Sequence, residues 1–356
     1  MSDPTRTALI IGATGSFGAH ALCALVRHGW TVRALARDPG KARQQAGDRM
    51  PIEWIEGDAM NPADVAMAPA GVSLIVHAAN PPRYKNWRGL ALPMLRATIA
   101  AAKAEGARIV VPGNVYNFAP DAGPAIAEDA LQAPVTRKGK VRVEMEAMLC
   151  EAANDGAKVL ILRAGDFFGP AAPNSCLAWL TTRKAGRVTS VYRPGPAAHA
   201  FAYLPDLAET LGRILEREDE LADFEVFHFA GHCLAGGDDL AQAIRRAAND
   251  AAIPIKPFPY PMLIALSPFV TLFRELLEMR YLWEKPIGLS DAKLRAFLGD
   301  VPVTPLDTAV REALADLDVT PREDVSSPCA NVQAGKSWTP PRGTPYIAGN
   351  VRAHAV

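Results

Sequence analysis

The stretch that decides the fold is ALIIGATGSFGAH, residues Ala8 to His20. An aliphatic run, typical of a buried strand, leads into glycines at Gly12, Gly15 and Gly18, and an alanine-rich segment with helical spacing follows. Gly12 permits a tight turn, Gly15 lets backbone N–H groups approach a pyrophosphate, and Gly18 allows close packing of the helix on the strand. A helix N-terminus also attracts phosphate. The stretch therefore predicts a strand, turn and helix that bind a dinucleotide.

Strands and helices alternate along the first half of the chain. Short β-branched or aliphatic runs recur at residues 7–11, 31–36, 52–56, 73–77, 109–111 and 158–162. Alanine-rich segments with helical spacing lie between most of these runs. Such alternation is typical of a parallel sheet that is covered by helices on both faces. We therefore predict an α/β fold with a doubly wound parallel sheet of the Rossmann type.

The rhythm changes after Arg163, where glycine and proline cluster at 165–173 and 193–196. A helix is predicted from about Pro205, a strand at 224–229, and mostly helix over 253–314. We expect a Rossmann domain at 1–165 with returning segments near 197–235. A smaller, mostly helical C-terminal substrate lobe would comprise 166–196 and 236–316. Residues 317–356 are rich in proline and have no apolar period, which indicates an extended or disordered tail.

Composition limits the classes of partner. The chain has 356 residues, with 38 Lys plus Arg and 38 Asp plus Glu, so no bulk charge favours nucleic acid. The most apolar later stretch, 258–273, is interrupted by prolines and is shorter than the roughly 20 residues of a spanning helix, so we expect no transmembrane segment. Five scattered cysteines without a C-x-x-C pair, and no signal-peptide pattern, favour the cytoplasm. The expected partner is a small-molecule substrate, with a homodimer as the alternative assembly to a monomer.

Other catalytic classes find little support. His228, His232 and Cys233 lie close together in the sequence, but a histidine pair at i and i+4 needs a helix, and a strand is predicted there. We therefore expect no metal site. The sequence also lacks a G-x-S-x-G elbow and a Walker lysine pattern, which disfavours a serine hydrolase or an NTPase.

Five further motifs follow the glycine stretch in a fixed order. They are EGD (56–58), HAAN (77–80), NVYN (114–117), RAGDFFGP (163–170) and AYLPDLAET (202–210). Together with the G-x-x-G-x-x-G spacing, this order resembles the extended and atypical branches of the short-chain dehydrogenase/reductase superfamily, the NAD-dependent epimerase/dehydratase type. The resemblance implies hydride chemistry with a bound NAD(P).

The resemblance also implies which residues contact the cofactor. Asp58 matches the family's acidic residue that accepts a hydrogen bond from the adenine amino group, and HAAN matches the fourth-strand segment that walls the cofactor. Lys140 matches the lysine that holds the nicotinamide ribose. The expected cofactor-binding residues are Gly12, Thr14, Gly15, Ser16, Phe17, Gly18, Arg37, Asp58, Ala59, Ala78, Ala79, Asn80 and Lys140.

The end of the second predicted strand bears on the choice of cofactor. A site that selects NAD usually offers a carboxylate there, whereas an arginine accommodates the 2′-phosphate of NADP. Arg37 occupies this position, with Asp38 next to it and Lys41 close by. We therefore predict NADP, with Arg37 as the phosphate-binding residue. The alternative is that Arg37 is a solvated loop cation and that the protein binds NAD.

The catalytic pattern departs from the family. Its members use a Ser or Thr after the fifth strand and a Tyr-x-x-x-Lys on the next helix, where the phenol acts as acid or base. Glu144, four residues after Lys140, fixes the register of this helix by its resemblance to the family's K-x-x-x-E. Thr136 then stands where the tyrosine belongs, and Pro112 stands at the hydroxyl position. Neither is a direct replacement.

Three explanations of this departure remain open. Another group could serve as the acid, namely Tyr84, Tyr116 or Asn114. The reaction could instead proceed with a different proton donor, such as Lys140 itself, beside the hydroxyl of Thr136. The chain could also be a regulator or scaffold that binds NAD(P) without turnover. An active site can be rebuilt on other residues, so we favour the enzyme over the regulator.

The segment PVTRKGK (134–140) places cations at the predicted start of a helix, where the positive end of the helix dipole should repel them. We expect Arg137 and Lys138 to be solvated or near the mouth of the site. Lys140 and Arg142 are expected to pair along the helix with the glutamates four residues later.

Overall fold

The computed structural model describes residues 6–46, 50–81 and 86–319. Its strands are β1 Thr7–Ile11, β2 Thr31–Ala36, β3 Ile52–Glu56, β4 Leu74–His77, β5 Arg108–Gly113, β6 Lys158–Ala164, β7 Asp166–Phe168, β8 Thr181–Lys184, β9 Arg187–Arg193, β10 His199–Tyr203, β11 Phe224–Phe229, β12 His232–Leu234 and β13 Ile255–Pro257. The helices are α1 Ser16–Arg27, α2 Pro39–Ala46, α3 Pro62–Met67, α4 Trp87–Glu105, α5 Arg137–Asn154, α6 Cys176–Leu180, α7 Leu204–Glu216, α8 Asp239–Ala247, α9 Tyr260–Leu266, α10 Thr271–Glu278, α11 Tyr281–Glu284, α12 Ala292–Leu298 and α13 Leu306–Asp316.

Seven strands form the central sheet in the order β11-β6-β5-β4-β1-β2-β3. All neighbouring pairs in this sheet are parallel. The chain turns back between β1 and β4, and ligands of such sheets bind at this switch point, outside the carboxyl ends of the strands. The predicted doubly wound Rossmann sheet is thus confirmed.

Both faces of the sheet are buried, which explains why its strands have continuous apolar sequences. In β1, Ala8 and Ile10 face one core, which also contains side chains of α1 and α7. Leu9 and Ile11 face the opposite core, formed with α4 and α5. Burial of a Leu or Ile side chain contributes about 1.5–3 kcal/mol, so this alternation holds helices on both faces.

The region after β6 contains two small sheets that the sequence did not predict. One has the order β12-β10-β7 and the other β13-β9-β8. Apart from β9, these strands have three to five residues and are difficult to recognise without their partners. β11, by contrast, pairs with β6 in the central sheet, and the helices α8 to α13 confirm a mostly helical C-terminal portion.

A separate apolar cluster connects the C-terminal helices to the end of β5. Val115 and Phe118 follow β5, and they pack with Leu282 of α11 and with Ile287 and Leu289. α11 therefore lies over the carboxyl ends of the central strands, where the ligand of a Rossmann sheet is expected.

Candidate dinucleotide site and catalytic end

The glycine loop is packed so closely that side chains cannot enter it. Gly12 has φ +95°, and a Cβ on it would lie 2.6 Å from the Ala79 amide nitrogen. A Cβ on Gly18 would lie 2.1 Å from the Gly12 carbonyl oxygen. The Ala78 amide donates a hydrogen bond to the Ile11 carbonyl (2.8 Å) and holds the end of β4 against β1. The loop and the HAAN segment therefore form one backbone surface at the switch point.

The N-terminus of α1 presents backbone N–H groups beside this surface. Gly15 is the N-cap residue and has no side chain to satisfy them. The first N–H groups of a helix, here those of Ser16, Phe17 and Gly18, have no acceptor within the helix. Thr14 and Gly15 are exposed at the tip of the loop. This geometry suits a pyrophosphate, because free N–H groups and the helix dipole both favour an anion.

Arg37 and Asp38 follow β2 directly, and both are exposed. The Lys41 amide donates to Asp38 Oδ1 (2.9 Å), so this carboxylate caps the start of α2. Arg37 makes no ion pair with any residue in the described part of the chain. The guanidinium is thus the free charged group at the end of this strand.

Asp58 and Ala59 follow β3 and are half-buried. The Met60 amide donates to Asp58 Oδ1 (3.0 Å), and the Asp58 amide donates to Asp64 Oδ2 (2.8 Å). These bonds fix the turn after β3 and explain how the EGD segment keeps its shape.

Asn80 ends the HAAN segment, and its side-chain oxygen accepts a hydrogen bond from Trp87 Nε1 (2.8 Å). This bond ties the segment to the first turn of α4. Tyr84, a predicted candidate acid between these two residues, lies outside the described residues, as does the predicted tail from 320 onward.

His77 is buried under the same segment. The Thr98 hydroxyl donates to the Met94 carbonyl, so it accepts from His77 Nδ1 (2.8 Å). Burial, and secondly the charge of Arg142, lowers the pKa of His77 to about 4. The imidazole is therefore neutral near pH 7 and stabilises the strand end as an uncharged group.

The segment after β5 brings two predicted catalytic residues to the catalytic end, a name we use for the carboxyl ends of β5 and β6 with the start of α5. Asn114 Oδ1 accepts a hydrogen bond from the Tyr116 amide (3.0 Å) and so caps a short 3-10 turn, Val115–Asn117. A Cβ on Gly139 would lie 2.3 Å from the Tyr116 carbonyl oxygen. Tyr116 is therefore held directly against the first turn of α5, while Pro112 pairs with Leu162 inside the sheet.

Thr136 is the N-cap residue of α5. The Gly139 amide donates to its hydroxyl oxygen (2.9 Å), and the residue is 5% exposed. Lys140 lies one turn later on the exposed side of the helix, and its side-chain ammonium makes no hydrogen bond or ion pair within the described ranges. The hydroxyl at the family's tyrosine position thus stabilises the helix start, whereas the ammonium at the family's lysine position is free.

Arg137 and Lys138 were expected to be solvated or near the mouth of the site, and solvation is wrong for Lys138, which is 3% exposed. Its ammonium lies 2.8 Å from Glu275 Oε2 and 3.7 Å from Glu278 Oε2, and both carboxylates belong to α10. Arg137 pairs with the same two glutamates at 3.1 Å, although its side chain is 70% exposed. Glu278 Oε1 also accepts hydrogen bonds from the amides of Arg137 and Lys138. Carboxylates of α10 therefore lie at the N-terminus of α5, where the positive end of the helix dipole is.

The neighbouring cations lower the pKa of one of these carboxylates, Glu278. Burial alone would raise the pKa of Glu278, but Lys138 and Arg137 outweigh it, so the pKa lies below its usual range. The cluster joins α10 to the start of α5, beside Thr136. It is a connection between the C-terminal helices and the catalytic end that local spacing could not predict.

The expected pairs along α5 are also wrong. Glu144 pairs with Arg88 of α4 at 2.7 Å. Glu146 instead pairs with Arg163 of β6 at 2.6 Å, a buried interaction. Arg142 lies over the Trp87 ring, 5.0 Å from its centroid, and donates to the Pro112 carbonyl at 3.5 Å. Tertiary partners therefore replace the i, i+4 partners that the helix alone would offer.

Sequence reasoning did not single out a pair of titratable residues that follows β6. Asp166 lies inside the quoted RAGDFFGP motif, and its Oδ2 is 2.9 Å from Nε2 of His199 in β10. The position in the motif could have drawn attention to Asp166. No local signal marks His199, because β10 was not predicted as a strand beside β7.

His20 connects the glycine helix to the same motif. Its Nε2 lies 2.8 Å from the Pro170 carbonyl oxygen, and burial lowers its pKa to about 4. Phe17 and Phe167 stack with centroids 6.1 Å apart. α1 and the RAGDFFGP turn are therefore in direct contact.

Two negative findings apply to the described residues. No group of three or more His, Cys, Asp or Glu side chains in the ranges with assigned structure could hold a metal ion. Among the helices of those ranges, none combines the length and the apolar character that crossing a membrane requires.

Comparison with known proteins supports the cofactor half of the site. Residues 12–166 match the protein family described as NAD(P)H-binding. A protein of Synechocystis sp. named "Putative dihydroflavonol 4-reductase" is 26% identical over 175 residues. That alignment covers 45% of this chain and 49% of the relative, so it spans about half the length of each.

Solved structures share the fold over nearly the whole chain. A structure described as a "putative epimerase" from Burkholderia cenocepacia has a TM-score of 0.71 and 19% identity, and the match covers 89% of this chain and 99% of that one. A second match is the UDP-glucuronic acid 4-epimerase of Bacillus cereus in complex with UDP-glucuronic acid and NAD. It has a TM-score of 0.68 and 16% identity, and the match covers 87% of this chain and 98% of that one.

At these identities the structural matches establish the fold, while the family match concerns the segment that carries the glycine loop and the HAAN motif. Residues 12–166 therefore resemble an NAD(P)H-binding family, and the chain as a whole has the fold of the solved epimerase structures.

Proposed function

We propose that the protein is an NAD(P)-dependent oxidoreductase or epimerase/dehydratase-like enzyme that transfers hydride to or from a carbonyl or carbinol carbon of a small substrate. The observation that carries this proposal is the backbone cradle at the switch point. Gly12 and Gly18 exclude side chains there, and the first turn of α1 leaves N–H groups free for a pyrophosphate. The residues present therefore fit a dinucleotide, which would supply the hydride.

We propose NADP as the preferred cofactor. Asp38 uses its carboxylate to cap α2, so it is poorly placed to accept hydrogen bonds from ribose hydroxyls. Arg37 is exposed beside it without an ion-pair partner among the described residues, and a guanidinium binds a phosphate through paired hydrogen bonds. Asp58 follows β3, and its Oδ2 would accept a hydrogen bond from the adenine amino group.

We also propose a role for the C-terminal portion. Residues 166–196 and 236–316 would form the substrate lobe, because α11 covers the segment after β5 and α10 contacts the start of α5. The structural neighbour from Bacillus cereus is described with a nucleotide sugar bound. For this chain we propose only a small carbonyl or carbinol substrate between sheet and lobe.

A second candidate function is a regulator that binds NAD(P) without turnover. The hydroxyl of Thr136 accepts a hydrogen bond from Gly139, and Pro112 has no hydroxyl at all. Both of the family's hydroxyl groups are therefore missing or engaged, which favours this candidate unless another group moves the proton.

The two candidates are separated by binding and turnover measurements. NADPH and NADH are titrated by fluorescence, and a panel of carbonyl compounds is then screened for oxidation of the bound cofactor. The enzyme predicts turnover that falls in Lys140→Ala, and a preference for NADPH that disappears in Arg37→Ala. Binding without turnover, unchanged in Lys140→Ala, would support the regulator. Failure of both dinucleotides to bind would refute both candidates.

A further inference from the structure

His199 has an unusual pair of neighbours for a buried histidine. It is 4% exposed, and its ring stacks on Trp283 with centroids 4.0 Å apart. Nδ1 lies 3.0 Å from the Leu282 carbonyl oxygen, and Nε2 lies 2.9 Å from Asp166 Oδ2. Both ring nitrogens are thus directed at oxygen atoms of other residues.

These neighbours limit where hydrogen atoms can lie if both ring nitrogens form hydrogen bonds. A carbonyl oxygen can only accept, so Nδ1 must carry a hydrogen. Nε2 then either carries a second hydrogen and donates it to the Asp166 carboxylate, or accepts one from a protonated Asp166. Hydrogen bonds at both ring nitrogens thus require one proton more than a neutral imidazole beside a carboxylate holds. We call these two residues the Asp166/His199 pair.

The pair lies at the catalytic end. Asp166 begins β7, two residues after β6 ends at Ala164. In the central sheet Arg163 of β6 is the register partner of Gly113, so the end of β6 adjoins the residue that precedes Asn114. The Asp166 side chain is 21% exposed and that of His199 only 5%. Asp166 is therefore the member of the pair that a ligand can reach.

A buried phenol faces the same place. Tyr281 of α11 packs beside Val115 and Tyr116, and its hydroxyl is buried without a hydrogen bond to any residue of the described ranges. Burial, and then the negative charges of Asp166 and Glu278, raise the pKa of Tyr281. The phenol therefore stays protonated and is a buried hydrogen-bond donor near Asp166.

We propose that Asp166 is the proton donor and acceptor of the hydride reaction, in place of the tyrosine that the family has at the position of Thr136. His199 is a positioning residue that stores the proton for Asp166. In reduction, Asp166 gives the proton to the carbonyl oxygen as the carbonyl carbon accepts a hydride from the dinucleotide. The C–O π bond breaks while the C–H and O–H bonds form. The pair remains as a carboxylate and a neutral imidazole until it takes a proton from water.

The proton itself can be observed without substrate or cofactor, which keeps this test separate from the proposed function on which the inference rests. The ring nitrogens of His199 are followed by 15N NMR at pH 7, and the Asp166 carboxyl is followed by 13C NMR. The His199 signals are assigned because they disappear in His199→Gln. We expect the extra proton on the pair in the wild type and a neutral imidazole in Asp166→Asn. A neutral imidazole beside an ionised Asp166 in the wild type would overturn the proposal.

Turnover provides the second test. General acid–base groups contribute roughly 100-fold to 10,000-fold, so Asp166→Asn should lower kcat by at least about 100-fold with an unchanged Kd for NADPH. His199→Gln keeps a hydrogen-bond donor toward Asp166 but cannot store a proton, so it should lower kcat and leave KM unchanged. Asp155→Asn, an exposed aspartate at the end of α5, is the matched control. Wild-type kcat in Asp166→Asn would reject the role of Asp166. Loss of NADPH binding in the wild type would instead count against the proposed function.

Discussion

The two ends of the candidate site are built by different means. At the cofactor end, backbone meets backbone, since a Cβ on Gly12 or Gly18 would collide with main-chain atoms of the loop or of Ala79. At the catalytic end, side chains from distant segments meet, as Lys138 does with Glu275 and Glu278. A site formed by backbone atoms requires glycine at a few fixed positions, so it can be recognised from the sequence pattern. A site made of side chains can be rebuilt, and the pattern is then lost.

The largest expected effect is a loss of stability at the catalytic end. Lys138→Met removes a buried ammonium. The side chains of its partners, Glu275 and Glu278, are only 10% and 12% exposed, and among the described residues Arg137 remains as a cation that pairs with both. Removing one partner of a buried ion pair costs about 3–5 kcal/mol, so the free energy of unfolding should fall by this amount in urea titrations. Arg137→Met, whose side chain is 70% exposed, is the control and should cost less than about 1 kcal/mol. Equal losses for the two variants would show that burial of Lys138 does not matter.

Acid should weaken the parts of the cofactor end that His20 and His77 support. The pKa of His20 and that of His77 are both about 4 in the folded protein, below the unfolded value, so the unfolded chain binds more protons between about pH 6.5 and pH 4. Stability from each group is complete above pH 6.5 and falls by about 1.4 kcal/mol per pH unit within that window. The low pKa of Glu278 preserves the catalytic cluster until the pH is below the usual range of a glutamate.

The measurement is urea unfolding at pH 5, 6 and 7, together with hydrogen exchange at pH 5. The wild type should lose more stability per pH unit than His77→Gln, and amides of α1 and β4 should lose protection at pH 5. Identical slopes for the wild type and the variant would mean that His77 is protonated in the folded state.

The smallest expected effect concerns the position of the missing tyrosine. Thr136→Ala removes an N-cap bond and should cost about 1 kcal/mol of stability, whereas Thr136→Ser should cost almost nothing. NADPH affinity should be unchanged in both variants, because the hydroxyl serves the helix start. If Thr136→Ala kept its stability and lost about 100-fold in turnover, the hydroxyl would be catalytic after all.

The same contrast explains how far the sequence predicts this molecule. β1, β2, β3 and β11 begin and end at the predicted residues, because continuous apolar runs between glycines or prolines define buried strands. The short strands β7 and β10 were missed, since each is stabilised by pairing with the other. The partners of Lys138 lie on a helix about 140 residues away, and no helical period relates them. His199 was missed for the same reason, because its chemistry depends on contacts with Asp166 and Leu282.

The central claim is that the cofactor end still binds a dinucleotide although the catalytic end has been rebuilt. It is tested most directly by fluorescence titration of NADPH with Gly15→Ala and Gly236→Ala. A Cβ on Gly15 would lie 3.2 Å from the Gly12 carbonyl oxygen, so the loop must shift by a few tenths of an ångström to accept it, and the added methyl group would displace a pyrophosphate. Gly236 is the control, since its Cβ would meet Asp239 Oδ1 at 3.4 Å in a region remote in sequence from the loop. We expect both variants to fold, with unchanged binding for Gly236→Ala and at least about tenfold weaker binding, or about 1.4 kcal/mol, for Gly15→Ala. Unchanged binding by Gly15→Ala, or no binding by the wild type, would contradict the claim.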